Sequence, residues 1–353
     1  MQQRREFIKR ALLVGLASGT VSLSAKPTPK PGPVPKIAAL KPKRLAAGQT
    51  IGLVAPSSGS YDNESVYYAR DILRSFGFKV KEGKNLYQRR GYLAGEDKLR
   101  AADVNAMFAD QSVDAIFCLR GGYGSPRILP YLDYNLIRKN PKVIIGFSDV
   151  TALLNAIYAK TGLITFHGVN ASQSFSEYTL KSFKDVLFNP MADTTIAVPP
   201  PFEVKEGRAE RSNRLTVITP GVATGKLIGG NLSLMVKLVG TPYEPDYRGK
   251  ILFLEDVREE PYKMDGMLTH LKLAGRLDQV SGIAFGKCSK CVSDGNTLSM
   301  EQVLLDHLEP LGVPTITGLM IGHIKDKSTI PVGLEARLDT NVGGIKILES
   351  AVT

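Results

Sequence analysis

The 353-residue sequence predicts an α/β protein of two domains. Three observations lead there. From residue 48 onward, short apolar runs alternate with longer amphipathic ones, the rhythm of a parallel sheet covered on both faces. The length favours two domains over one. A proline-rich, charged stretch, "VPPPFEVKEGRAERSNR", breaks the rhythm, and a smaller mixed α/β pattern follows it.

The elements read in order as follows. "TIGLVAPSS" is a buried strand ending in a Pro/Ser loop, and "NESVYYARDILRSFG" has helical spacing with a stop at Gly77. "FKVKEG" is a strand, "GEDKLRAADVNAMFAD" a helix, and "VDAIFCLRGG" a strand that runs into glycines. "SPRILPYLDYNLIRKN" reads as one helix with Pro126 near its start. "KVIIGFS" is a strand, "DVTALLNAIYAKTG" a helix and "LITFHG" a strand. These make an N-terminal domain over 46–170, and 171–215 reads as a crossover between domains. Over 216–353 a helix follows Asn231, and "GKILFLEDV", "VSGIAFGKC" and "TITGLMIGH" read as strands. "YKMDGMLTHLKLAGRLD" and "SMEQVLLDHLEPLG" are helices, while "TIPVGLEARLDT" and "GGIKILES" close as hairpin-like strands.

The charge is not a nucleic-acid signal. The chain carries +11 overall, but residues 1–45 hold ten of its 45 basic residues and one of its 34 acidic ones. The rest is nearly neutral and offers no general phosphate-binding field. The basic tail reads as an export signal. Arg4 and Arg5 in "RREFIKR" precede the apolar run "ALLVGLASGTVSLSA", which is too short and too rich in small residues for a stable membrane span. A twin arginine before such a run resembles a Tat signal, with cleavage expected near Ser24 or Ala25 and a periplasmic destination. The alternative is an uncleaved N-terminal tether. Residues 26–45 then read as a Pro/Lys-rich extended linker.

Three cysteines are present. Cys118, in "AIFCLR", reads as core. Cys288 and Cys291, in "CSKC", are either a disulfide or two incidental thiols near a strand end. No second Cys/His pair lies at zinc-ligand spacing, so no metal is expected.

In a parallel sheet the ligand crevice lies at the carboxyl ends of the strands. Here those ends carry "APSSG", "RGGYGS", "GFSD" and "FHG". Ser148 stands where an apolar strand gives way to a helical pattern. It is either a helix N-cap or a nucleophile on a strand-to-helix turn, with Gly146 permitting the close approach and Asp149 N–H facing an oxyanion. A nucleophile elbow reads G-x-S-x-G, and Val150 replaces the second glycine. A serine nucleophile needs a base. His270 and His307 read as solvated helix residues, whereas His167 and His323 end strands and could face the crevice. An orienting acid is offered by Glu255 in "ILFLEDV", unless it makes an ion pair with Lys226 or Arg258. Glu255 and Asp256 point to opposite sides, so only one can face His323. Gly121 and Gly122 supply a backbone able to approach an oxyanion, and a dinucleotide reading of "GGYGSP" fails on its spacing.

Five collinear stretches carry a resemblance. "LRGGYGSPRILPYLDY", "NPKVIIGFSDVTALLNAIYAKTGLITFHG", "GKLIGGNLSLMVKLVGTPYEP", "GKILFLEDV" and "GLMIGHIKDKSTIPVG" resemble the LD-carboxypeptidases, serine peptidase family S66. That family includes muramoyltetrapeptide carboxypeptidases and the microcin C self-immunity peptidase. The resemblance implies a Rossmann/flavodoxin-like N-terminal domain and a swivelling, barrel-like C-terminal domain. It implies a triad of Ser148, Glu255 and His323, oxyanion donors at Asp149 and Gly122, and substrate contacts from Arg120, Gly121, Tyr123 and Asn231. The family lacks the second elbow glycine, so Val150 ceases to count against a nucleophile. The implied substrate is a muropeptide tetrapeptide losing its C-terminal D-alanine, with no cofactor, no nucleic acid and a homodimer as the assembly. The alternatives are a peptidase acting on peptidyl-nucleotide antibiotics, which the absence of tryptophan disfavours, and a non-catalytic periplasmic binding protein.

Overall fold

The computed structural model describes residues 38–353. The expected export signal and most of the expected Pro/Lys linker lie outside the described residues. Two sheets organise the rest. The first begins with β1 (Thr50–Val54), α1 (Glu64–Ser75), β2 (Lys79–Glu82), α2 (Asp97–Ala109) and β3 (Ala115–Cys118). Residues 125–140 form two short helices rather than one, α3 (Ser125–Ile128) and α4 (Tyr134–Lys139), joined through a 3-10 turn over Leu129–Tyr131. Pro130 lacks the N–H that a continuous helix would use, and Asp133 restarts the helix by accepting from Leu136 N–H. β4 (Val143–Gly146), α5 (Thr151–Thr161) and β5 (Thr165–His167) complete the alternation.

β1 to β5 run parallel in the order β2-β1-β3-β4-β5, the flavodoxin-like order. Their side chains are buried on both faces: Ala115 and Phe117 enter one apolar cluster while Ile116 and Cys118 enter the other. The burial of Cys118 pushes its thiol pKa upward.

The stretch 171–215 is not all linker. It holds α6 (Glu177–Leu187), capped by Ser176, which buries Phe183, Val186 and Leu187, and β6 (Thr195–Ile196). Proline content hid a helix whose apolar spacing was readable. Likewise the end of the expected N-terminal linker is docked: Leu40 bridges Leu163, and Leu45 is buried.

The second sheet uses β6, β7 (Thr216–Thr219), β8 (Val222–Asn231), β9 (Ile251–Val257) and β10 (Gly282–Ser289). α7 (Leu232–Leu238), α8 (Pro261–Leu273) and α9 (Met300–Leu308) pack beside them. β11 is confined to Thr315–Thr317, because the chain from Gly318 to His323 leaves the ladder as a loop. β12 (Ile330–Val332), β13 (Glu335–Asp339) and β14 (Gly344–Ile347) follow. The order is β6-β14-β13-β8-β9-β10-β11-β7, a curled half-barrel. β13 and β14 form the expected hairpin, but β12 does not join it. It pairs antiparallel with β5 as the sixth strand of the first sheet. The first sheet is therefore parallel in its five sequential strands and closed by a strand from late in the chain.

No helix among the described residues is long and apolar enough to cross a membrane.

Candidate active site

Ser148 follows β4 and opens a 3-10 turn over Ser148–Val150 that leads into α5. Its φ is +64°, a left-handed conformation that costs a side-chain-bearing residue about 1–2 kcal/mol. The turn is tight: a Cβ on Gly146 would lie 2.8 Å from Val150 Cγ1 and 3.0 Å from Cys118 Cβ. Val150 fills the buried inner side of the turn, so the small residue the elbow needs is Gly146 rather than position 150. The Ser148 hydroxyl does not cap the helix; it meets His323.

His323 Nε2 lies 2.9 Å from Ser148 Oγ, and its Nδ1 lies 2.7 Å from Glu255 Oε2. With Nδ1–H donating to the carboxylate, Nε2 is free to accept the serine proton. Glu255 sits near the end of β9 and is fully buried, and it bonds neither Lys226 nor Arg258. Its neighbour Asp256 points the other way, accepting from Asn231 Nδ2, Ser233 N and Ser233 Oγ. His323 reaches Glu255 because Gly322 (φ +131°) precedes it; a Cβ there would meet Lys287 O at 2.9 Å.

The "RGGYGS" loop is fastened to the elbow. The Asp149 carboxylate accepts from Gly124 N at 3.1 Å and Ser125 N at 2.6 Å, and Ser125 Oγ donates to Asp149 O. Gly121 lies against the nucleophile, since a Cβ on it would be 2.8 Å from Ser148 Cβ. Gly122 (φ +112°) packs on Ser58, whose Oγ accepts from Tyr123 N. The first N–H groups of a helical turn have no partner inside it, so Asp149 N–H is available to a ligand. A cleft of about 500 Å³ opens beside His323, lined by Arg120, Gly122, Phe147, Arg258, Lys290 and Lys327.

Of the residues expected to touch substrate, Arg120 lines this cleft, as does the expected oxyanion donor Gly122, while Gly121 lies against Ser148. Tyr123 is half-exposed and stands edge-on to Tyr92 at 5.3 Å. Asn231 is nearly buried, held by Asp256 and donating its own N–H to Thr151 Oγ1. The bond to Thr151 ties the end of β8 to α5, the helix that follows Ser148.

His167 and His307 depart from their surface or crevice readings. His167 is buried between Phe147 and Phe253, and burial pulls its imidazole pKa down to about 3, helped by the nearby His323 and Lys327. His307 is mostly covered and pairs with Asp265 across the packed helices α8 and α9. His270 is exposed, as its helix position implied.

Several positioning residues went unread. Asn170 Oδ1 accepts from Phe147 N and steadies the elbow. Asn155, one helical turn after Thr151, bonds both N–H and C=O of Gly229. Polar residues at i and i+4 within the apolar run "TALLNA" were the available signal. Lys327 is buried with its Nζ 5.0 Å from the Phe147 ring; burial lowers its pKa while Glu255 pulls it back up.

Known families match this arrangement in both halves. The model for the LD-carboxypeptidase N-terminal domain covers residues 51–168, and that for the C-terminal domain covers 224–338. The chain belongs to the LD-carboxypeptidase family. As such it is a serine carboxypeptidase, a hydrolase. It is 41% identical over 307 residues to a probable murein peptide carboxypeptidase of Bacillus subtilis, covering 85% of this chain and 92% of that protein. It is 32% identical to the microcin C7 self-immunity protein MccF of Escherichia coli, covering 86% and 94%. A solved structure of MccF superposes with a TM-score of 0.80 at 31% identity, covering 89% of this chain and 100% of that one. A muramoyltetrapeptide carboxypeptidase from Oxalobacter formigenes gives 0.69 at 28%, covering 85% and 98%. This LD-carboxypeptidase thus resembles both proteins named as murein peptide or muramoyltetrapeptide carboxypeptidases and the self-immunity protein MccF.

Proposed function

We propose that this LD-carboxypeptidase removes the C-terminal D-alanine from muropeptide tetrapeptides by acyl-enzyme catalysis. The observation that carries the reading is the unbroken relay Ser148–His323–Glu255 on a left-handed elbow. His323 Nε2 takes the hydroxyl proton as Ser148 Oγ attacks the carbonyl carbon of the scissile amide. Glu255 stabilises the imidazolium that forms. Asp149 N–H and Gly122 N–H hold the oxyanion; losing one such donor costs on the order of 10²–10³ in rate. His323 then gives its proton to the departing D-alanine nitrogen. Water, deprotonated by His323, attacks the acyl carbon, and His323 returns that proton to Ser148 Oγ as the peptide leaves.

The muropeptide reading draws on the 41% identity to a protein named as a murein peptide carboxypeptidase. The structural likeness to MccF favours a second reading, hydrolysis of peptidyl-nucleotides, and the absence of tryptophan counts against a stacked nucleobase. The export reading of "RREFIKR" would put the enzyme beside the cell wall in the periplasm; fractionation that finds the intact N-terminus in the cytosol would remove it.

The test is mass spectrometry of a muropeptide tetrapeptide digest. Wild type is expected to release D-alanine, and Ser148→Ala to lose about 10⁴–10⁶-fold in rate with its circular dichroism unchanged. Full activity in Ser148→Ala sinks the mechanism. Turnover of an aminoacyl-nucleotide but not of the tetrapeptide selects the second reading.

A further inference from the structure

The cleft beside His323 is unusually cationic. Arg120, Arg258, Lys290 and Lys327 all line it, and none of them takes part in an ion pair among the described residues. Two carboxylates act on Lys327: Glu255, which is engaged by His323, and its chain neighbour Asp326, which forms no ion pair among the described residues. Four unpaired cations exceed what a single C-terminal carboxylate would neutralise.

Two of the four are placed by strained backbone. β9 and β10 run side by side with Val257 opposite Ser289, so Arg258 and Lys290 are the next residues of each strand. Their φ angles are +59° and +58°. Among the described residues five non-glycine residues have positive φ, and three of them, Ser148, Arg258 and Lys290, are at this site. Such conformations persist only where the surroundings impose them. Arg258 is fixed by its N–H donating to Ser289 O at 2.9 Å. Lys290 is fixed differently: it lies inside the ring closed by the Cys288–Cys291 disulfide.

We propose that Lys290, held over the cleft by the Cys288–Cys291 disulfide, is a specificity-determining residue that selects peptides bearing a second carboxylate besides the C-terminal one. The inference rests on the carboxypeptidase reading and names its substrate class. A flexible lysine on an open loop would lose rotamer and backbone freedom on binding an anion. The disulfide removes the backbone part of that loss before the substrate arrives.

The experiment compares the tetrapeptide with its internal carboxylates free and the same peptide with them amidated, the C-terminal carboxylate being kept in both. Wild type is expected to favour the free acid at least tenfold in kcat/KM, through KM. Lys290→Met should bring the ratio to about one with kcat nearly held, and Lys290→Arg should keep the preference. Cys288→Ser/Cys291→Ser should lose it like Lys290→Met, as should wild type reduced with dithiothreitol, since Cys118 is buried. A wild-type ratio near one, or an unchanged ratio in Lys290→Met, overturns the proposal. Loss in Lys290→Met with retention in the double serine variant overturns the disulfide's part in it. If wild type releases no D-alanine, the muropeptide reading falls, and the anion site is judged by calorimetric titration with citrate. Binding to wild type that vanishes in Lys290→Met upholds the site; no binding, or equal binding, overturns it.

Discussion

At Ser148 stability and catalysis pull in opposite directions. Its left-handed backbone suits glycine, so Ser148→Gly should raise stability by about 1 kcal/mol, read as a higher urea midpoint, while abolishing turnover. Ser148→Ala keeps the strain and should leave the midpoint nearly unchanged. Glu255→Gln tests the other end of the relay. An amide fits the same buried space but cannot balance an imidazolium, so kcat should fall about 10⁴-fold. These three residue types were legible because an isolated serine, histidine and glutamate each ended an apolar run. The strain was not, since nothing in "GFSD" except its place after a strand requires a positive φ.

Elements bring the relay together through close backbone approach. Gly229 in β8 has φ +134°, and a Cβ there would collide with Phe253 O on the neighbouring strand. Gly230 packs likewise on Thr151, 2.6 Å from where its Cβ would stand. Asn155 and Thr151 of α5 therefore bond directly to the β8 backbone, tying the nucleophile's helix to the sheet that carries Glu255. Gly229→Ala should destabilise by about 3 kcal/mol or more, seen as a lowered denaturation midpoint, with kcat falling in the fraction that remains folded. Parallel strands and amphipathic helices were readable from period alone. The split of residues 125–140 and the shortening of β11 were not, because Pro130 and Gly318 act inside patterns whose apolar spacing continues past them.

Across the whole molecule, one contribution to acid sensitivity comes from a buried imidazole that is not itself a member of the relay. His167 stays neutral in the folded chain down to about pH 3, whereas its ordinary value is 6.5. The unfolded state binds the proton first, so the stability present above pH 6.5 is lost as pH falls from there toward 3. The slope from this one group is about 1.4 kcal/mol per pH unit. His167→Leu should flatten the dependence of the urea midpoint between pH 6.5 and 4; an unchanged slope would show that other groups dominate. Two α/β halves could be inferred from the chain's rhythm, but the route of β12 could not, because a three-residue apolar run carries no information about which sheet accepts it.

That route also sets a schedule. Ser148 leaves the ribosome long before Glu255 and His323, and the strand that closes its sheet, Ile330–Val332, emerges later still. A growing chain therefore displays its serine without acid, base or finished scaffold. Hydrolytic capacity is withheld until the segment through Val332 has emerged.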